Sequence, residues 1–470
     1  MARQRPQLLR RLIVTVVCLL SAVLAAAGTA AFAPDAGAQL IGAPSRTWHA
    51  GAPAVPAPPV LAGAGSAAAA PDPAAVAASL APLLRDPVLG GHLDAYVADA
   101  VTGAQLFAEN PDTAALPAST LKLLTAEAVL TARGPAYRLA TRAVAGANPG
   151  EVVLVGGGDP TLAGGERRTF AEAARLDELA AQVKKALGGT APTRVIIDAS
   201  LFGPATTGPG WDSDIISSGN SSVISSLMID GGRSAPTSPH GPSPRAAAPD
   251  LAAGQAFAAA LGLPASAVTA GTAPTGAAQL GVVESPPLER LVELMLVESD
   301  NVIAECLARQ VALARSQPAT FEGAATAMRA VLGELGLPVD KLVLSDGSGL
   351  SRNDRVTPTL LAGALLLAVK PTHPQLRVVF SGMPVGGYSG TLRDRYRKPT
   401  NGAAAAGLVR AKTGSLSGLN SIAGTVVDAD GRLLVFAVIA DASPNLGGIP
   451  SPPQQALDRV AAALAGCGCH

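Results

Sequence analysis

Two hairpin signals near opposite ends of the chain constrain its fold most. "HLDAYVADAVTGAQLFAEN" holds two strand-like runs around the turn-forming cluster Asp99-Ala100-Val101-Thr102-Gly103. "SIAGTVVDADGRLLVFAVIA" holds two more around Asp428-Ala429-Asp430-Gly431. A helical pattern, "AAVAASLAPLLRD", precedes the first hairpin, and another at 454–465 follows the last. From about 144 to 287 the chain changes character. Short β-type runs ("EVVLVGG", "TRVIIDAS") alternate with Gly and Pro, a helix is predicted at 170–187, and 234–249 reads as a loop. Helical periodicity then dominates 288–335. Helix and strand at both ends, with a β-rich and a helical block between, predict a mixed α+β chain carrying an inserted domain.

The N-terminus reads as a targeting segment. Arg3, Arg5, Arg10 and Arg11 precede an uncharged apolar run from Leu12 to about Ala33, and Ala36-Gly37-Ala38 offers a small-residue cleavage site. The run is also close to the roughly 20 residues that span a bilayer, so an uncleaved anchor fits equally. Basic residues ahead of the run keep that end in the cytoplasm and put the rest outside. Residues 39–75, rich in Pro, Ala and Gly, read as a linker. The 35 basic and 35 acidic residues balance, so the chain has no electrostatic footprint for nucleic acid. Four cysteines make no disulfide framework: Cys18 lies in the targeting run, Cys306 reads as a core residue, and the tail Cys467-Gly468-Cys469-His470 could chelate a metal or form a disulfide, a frayed terminus being the plainer reading.

Three short motifs carry the chemistry. Ser119-Thr120-Leu121-Lys122 places a hydroxyl and an ammonium on one helical face, among Leu121, Leu123, Leu124 and Val129. Serine needs a base to become a nucleophile. The histidines are scarce and badly placed for that, and no G-x-S-x-G elbow is present, which argues against a Ser-His-Asp triad. A lysine can serve if burial and a nearby cation lower its pKa. The same four residues also describe an N-cap serine with a solvent-facing lysine.

Ser299-Asp300-Asn301 interrupts a helical pattern, as caps do. As a functional unit, Ser299 would relay a proton to a leaving amine, and Asn301 would bond both Lys122 and a substrate carbonyl. Ser218-Gly219-Asn220 and Ser351-Arg352-Asn353 share the Ser-x-Asn pattern but lie in Gly-rich loops. Lys412-Thr413-Gly414 opens the last strand-rich stretch. Lys412 could bind a substrate carboxylate and lower the pKa of Lys122, Thr413 could donate to the same carboxylate, and Gly414 leaves room for a substrate backbone. Lys412 and Thr413 facing inward together predicts an irregular strand. An ordinary edge strand with a solvated lysine is the plainer alternative.

Ser-x-x-Lys, Ser-x-Asn and Lys-Thr-Gly in this order resemble the active-site signature of penicillin-binding proteins and serine β-lactamases. "PASTLKLLTA", "VGGGDPTL", "VIIDASLFGP…GPGW", "DGSGLSRNDRVTP", "MPVGGYSGTLRDRY" and "AKTGSLSGLNSIAG" narrow this. They resemble the class C low-molecular-mass penicillin-binding proteins, the D-alanyl-D-alanine carboxypeptidase/endopeptidase family, over about residues 75–465. The resemblance implies a transpeptidase-like domain: an antiparallel sheet flanked by helices, plus a helical subdomain. That domain would be built from 76–143 and 288–466, split by a β-rich insertion at 144–287, with 1–38 as signal peptide or anchor. After "GPGW" the chain departs from the family's aromatic with the serine-rich "SSGNSSVISS".

The resemblance further implies acyl transfer from peptidoglycan stem peptides ending in D-Ala-D-Ala. Ser119 would be nucleophile and Lys122 general base, with Ser299, Asn301 and Lys412 assisting. Thr413, Gly414 and Ser415 would bind substrate, and the N–H groups of Ser119 and Ser415 would form the oxyanion hole. β-Lactams would acylate the same serine, and no metal or organic cofactor is expected. A β-lactamase on the same fold, or a non-catalytic protein sensing cell-wall peptide, are the competing readings.

Overall fold

A computed structural model describes residues 68–469 except 168, 236–239, 399, 401 and 447–449. The targeting segment 1–38 and nearly all of the linker lie outside the described residues. Among the described residues no helix is long and apolar enough to cross a membrane.

The chain enters through α1 (Pro73–Leu84), which has Asp72 as N-cap and Pro at the start, two signals that favour helix initiation. The first predicted hairpin is β1 (His92–Asp99) and β2 (Gln105–Glu109). The last is β9 (Leu419–Val427) and β10 (Leu433–Asp441), with β8 (Val409–Leu416) before it. All five join one antiparallel sheet in the order β2-β1-β10-β9-β8, so the first and last hairpins meet where β1 pairs with β10. The register explains the composition of β10. Val435, Ala437 and Ile439 face the helical layer, while Leu434, Phe436, Val438 and Ala440 face α1 and α10 (Pro452–Ala465). A strand covered on both faces reads as an unbroken apolar run, as "LLVFAVIA" does.

The helical layer is α2 (Lys122–Arg133), α5 (Leu288–Glu298), α6 (Asn301–Ala314), α7 (Phe321–Glu334), α8 (Pro358–Val369) and the short α9 (Arg377–Gly382). Between α2 and α5 lies a second sheet of β3 (Ala140–Ala145), β4 (Glu151–Val155), β5 (Arg194–Asp198), β6 (Val268–Ala270) and β7 (Gln279–Glu284), in the order β6-β5-β4-β3-β7. β4, β5 and β6 run parallel, and α3 (Leu176–Ala186) and α4 (Pro249–Leu261) pack on them through Val183, Phe257 and Leu261. α3 starts at Leu176, not at 170, because Phe170–Arg175 is spent on a turn and a bridge to Ala163. The tail is not frayed either. Cys467 is buried, packs with α1 and α10, and is disulfide-bonded to Cys469, while Cys306 lies fully buried in the core.

One buried group works against the fold. Glu127 on α2 is fully buried, neither carboxylate oxygen has a hydrogen-bond partner among the described residues, and burial pushes its pKa well above the usual carboxylate value. It is held neutral in the folded protein and ionises on unfolding. The part of its penalty linked to ionisation is therefore absent below the unfolded pKa of 4.5 and grows as pH rises, on top of the pH-independent cost of an unpaired buried carboxyl. Glu127→Leu is expected to stabilise the protein by about 1–3 kcal/mol at neutral pH. Denaturation midpoints at acid and neutral pH check this, with the gain larger at neutral pH.

Candidate active site

Ser119 stands in a 3-10 turn, Ala118–Leu121, that runs into α2 at Lys122. The first N–H groups of such a turn have no acceptor within it, so the Ser119 N–H is available to a ligand. Ala118 is held at φ 45°, a left-handed conformation that costs a non-glycine residue energy. Two glycines make the strained turn fit. A Cβ on Gly414 would lie 2.7 Å from the Pro117 carbonyl oxygen and 3.0 Å from the Ala118 Cβ, and one on Gly349 would overlap the Ala118 carbonyl. Thr120 Oγ1 and Ser421 Oγ both donate to the Pro117 carbonyl, each at 2.7 Å. The turn is thus pinched between β8, β9 and the loop 346–351. Gly414→Ala must push the turn off β8, and a fall of about tenfold or more in the acylation rate of the folded protein is expected, on the scale of a 1 Å misplacement. A rate within twofold of wild type would refute that.

Lys122 is fully buried, and its Nζ donates to three acceptors: Ser119 Oγ at 2.8 Å, Asn301 Oδ1 at 2.6 Å and the Ser348 carbonyl at 2.7 Å. Burial lowers its pKa to about 8 against the opposing pull of Asp346, Glu305, Asp300 and Asp354. Burial, one of the two effects expected from the sequence, is the leading one. Burial first, and then Lys122 and Arg395, depress Lys412 well below the usual value.

Lys412 Nζ donates to Ser299 Oγ at 2.9 Å and to the Thr413 carbonyl at 2.8 Å. Ser299 closes α5 at φ 57°, and Asp300 caps α6 by accepting from the Ile303 N–H. Two helix ends meeting this way aim Ser299 and Asn301 at the two lysines. The trio therefore caps helices and lines the cleft at once.

The strand carrying Lys412 is regular, not irregular as the sequence suggests, and pairs with β9 without a register shift. Both of its faces are used. Lys412 and Gly414 point to the buried side, Lys412 towards Ser299 and Gly414 against the turn, while Thr413 and Ser415 line the cleft. β8 is also the sheet edge. The Gly386 N–H donates to the Val409 carbonyl and the Ala411 N–H to the Pro384 carbonyl across that edge. Hydrogen-bonding direction alternates along a strand, so the N–H groups of Thr413 and Ser415 point to the same edge, where it borders the cleft.

The cleft holds about 750 Å³, and Ser119, Ser299, Asn301, Thr413 and Ser415 all line it. The structure brings together every residue the sequence singled out: Ser119, Lys122, Ser299, Asn301, Lys412, Thr413, Gly414 and Ser415. Others were missed. Asp346 accepts from the N–H groups of Ser348, Gly349 and Ser351, shaping the loop whose Ser348 carbonyl holds Lys122. An aspartate opening "DGSG" is a turn-forming signal that could have shown this loop. The two set-aside Ser-x-Asn segments surround the site without replacing Ser299: the Asn220 carbonyl accepts from Asn301 Nδ2, and Ser351 Oγ donates to the Pro209 carbonyl.

A family model described as D-Ala-D-Ala carboxypeptidase 3 (S13) matches residues 76–241 and 235–464. The chain is 42% identical to Carboxypeptidase Rv3627c of Mycobacterium tuberculosis, over 84% of this chain and 85% of that one. It is 40% identical to Carboxypeptidase DacB of Mycolicibacterium smegmatis, over 84% of each chain. Its fold is similar to the crystal structure of penicillin binding protein 4 (dacB) from Haemophilus influenzae, with a TM-score of 0.67 at 22% identity, covering 82% of this chain and 97% of that one. Ordered motifs, assembled cleft and matched family model agree, and the chain belongs to the D-Ala-D-Ala carboxypeptidase 3 (S13) family and is a serine-type carboxypeptidase.

Proposed function

We propose that Ser119 is the nucleophile and Lys122 its general base, in a D-alanyl-D-alanine carboxypeptidase acting on peptidoglycan stem peptides outside the cytoplasmic membrane. One observation carries the assignment: the buried Lys122 Nζ lies 2.8 Å from Ser119 Oγ. A neutral amine has two N–H donors and one lone pair. Asn301 Oδ1 and the Ser348 carbonyl can only accept, so they take both donors. The lone pair is left facing Ser119, whose hydroxyl then donates its proton to Nζ as its oxygen attacks the carbonyl of the penultimate D-Ala.

The developing oxyanion has the Ser119 and Ser415 N–H groups available to it. The departing D-Ala amine takes a proton through Ser299, which Lys412 backs at 2.9 Å, and Thr413 donates to the terminal carboxylate. Water then releases the acyl group. A β-lactam follows the same first step and stays on Ser119. The same chemistry at a cross-link would be endopeptidase activity, open to a cleft of this size. The basic-then-apolar N-terminus supports export, by a cleaved signal or an anchor. The segment 144–287 reads as the insertion that splits the transpeptidase-like domain.

Liberation of D-alanine from an N-acylated peptide ending in D-Ala-D-Ala, blocked by prior incubation with benzylpenicillin, tests the reading. Activity that survives saturating penicillin would sink it.

A further inference from the structure

Two carboxylates beside the site divide their oxygens in the same way. Asp300 Oδ1 caps α6 through the Ile303 N–H, whereas Oδ2 accepts from Arg233 at 3.1 Å with both side chains buried. Asp346 Oδ1 takes the Ser348 and Gly349 N–H groups, whereas Oδ2 takes the Ser351 N–H and, at 2.7 Å, the indole N–H of Trp211. In each case one oxygen serves only the local turn, while the other reaches the segment between β3 and β7, that of Asp346 in addition to the Ser351 N–H. Those turns present Asn301 Oδ1 and the Ser348 carbonyl, the two groups besides Ser119 that hold Lys122. The same segment also fixes the amide of Asn301. Its Nδ2 donates to the Asn220 carbonyl at 2.8 Å, which turns Oδ1 towards Lys122.

We propose that the segment 144–287 positions Lys122 from behind, with Arg233 and Trp211 as positioning residues acting through Asp300 and Asp346. The proposal rests on Lys122 being the base of Ser119. Neither residue touches the reacting atoms. Arg233, with Arg245 behind it, offsets the charge of Asp300, and the Trp211 N–H draws part of the charge of Asp346 onto its hydrogen bond; both carboxylates otherwise hold Lys122 in its charged form, alongside Glu305 and Asp354, while Lys412 is the neighbouring cation. The segment would then set how readily the base is deprotonated, beyond any part it takes in binding the peptide.

The test is the pH dependence of the benzylpenicillin acylation rate for the intact protein. Arg233→Met removes the hydrogen-bonded cation from Asp300 and leaves only the charge of Arg245 to offset it, and the rising limb is expected to move up by about one pH unit. Arg233→Met combined with Asp300→Asn keeps the cap, removes the stray charge and is expected to return the limb to its wild-type position. Trp211→Phe keeps an aromatic ring against Phe321, 5.8 Å away edge-on, but loses the N–H, and should also move the limb up. A purely structural role lowers the amplitude without moving the limb. Limbs at the wild-type position in both Arg233→Met and Trp211→Phe overturn the proposal. If Arg233→Met does not fold, Trp211→Phe decides alone. Loss of the limb in Lys122→Met tests the underlying reading separately.

Discussion

Ser119→Ala is expected to end D-alanine release, a fall of at least about 10⁴-fold, with the protein still folded and still binding the peptide. The magnitude follows from how covalent catalysis fails. Without Oγ there is no acyl-enzyme, and what remains is the contribution of the oxyanion donors and of binding. The fold should tolerate the change, because among the described residues Ser119 Oγ bonds to Lys122 alone, while the turn is held by Thr120, Ser421 and the packing of Gly349 and Gly414. Alanine is small and native to the preceding position. Release of D-alanine at more than about one per cent of the wild-type rate would place the nucleophile elsewhere.

Lys122→Met is expected to slow acylation by about 10²–10⁴-fold, the usual contribution of a positioned base. Methionine matches much of the length of the side chain but leaves Asn301 Oδ1 and the Ser348 carbonyl without their donor. The wild-type enzyme carries the more specific signature. With the Lys122 pKa lowered to about 8, about one-tenth of the molecules hold a neutral base at pH 7. Acylation should therefore rise about tenfold per pH unit below 8 and level off above it. That limb should vanish in Lys122→Met. A flat profile in the wild type would instead assign the base role to a group other than Lys122.

How much of this was legible in the sequence differs from residue to residue. The hairpins showed because their turns carry Asp and Gly and their strands alternate or run apolar, and both effects are local. The eight site residues showed because three short motifs in a fixed order are rare together. Lys122's surroundings did not show. Its acceptor at Ser348 lies 226 residues away, and the loop presenting it is organised by Asp346 and Trp211, 135 residues apart. Such partnerships exist only once the chain has folded and leave no local period. The regularity of β8 was misread for a related reason. Lys412 and Thr413 can both serve one site because β8 is the sheet edge beside the cleft, and edge position is a property of the whole sheet.

Burial explains why this arrangement is chemically useful. An exposed Ser-x-x-Lys pair would keep its lysine charged near pH 10.4, with almost no base available at neutral pH. Complete burial of Lys122 makes the charge costly, and three polar partners hold the desolvated amine in place.

The most direct test is the intact mass of the purified protein over time with benzylpenicillin, followed by a peptide map. The predicted result is one penicilloyl group per chain, long-lived, on the peptide that contains Ser119. An adduct on Ser299 or Ser351, or none, would contradict the account; one that vanishes within seconds while penicillin is consumed would make the protein a β-lactamase.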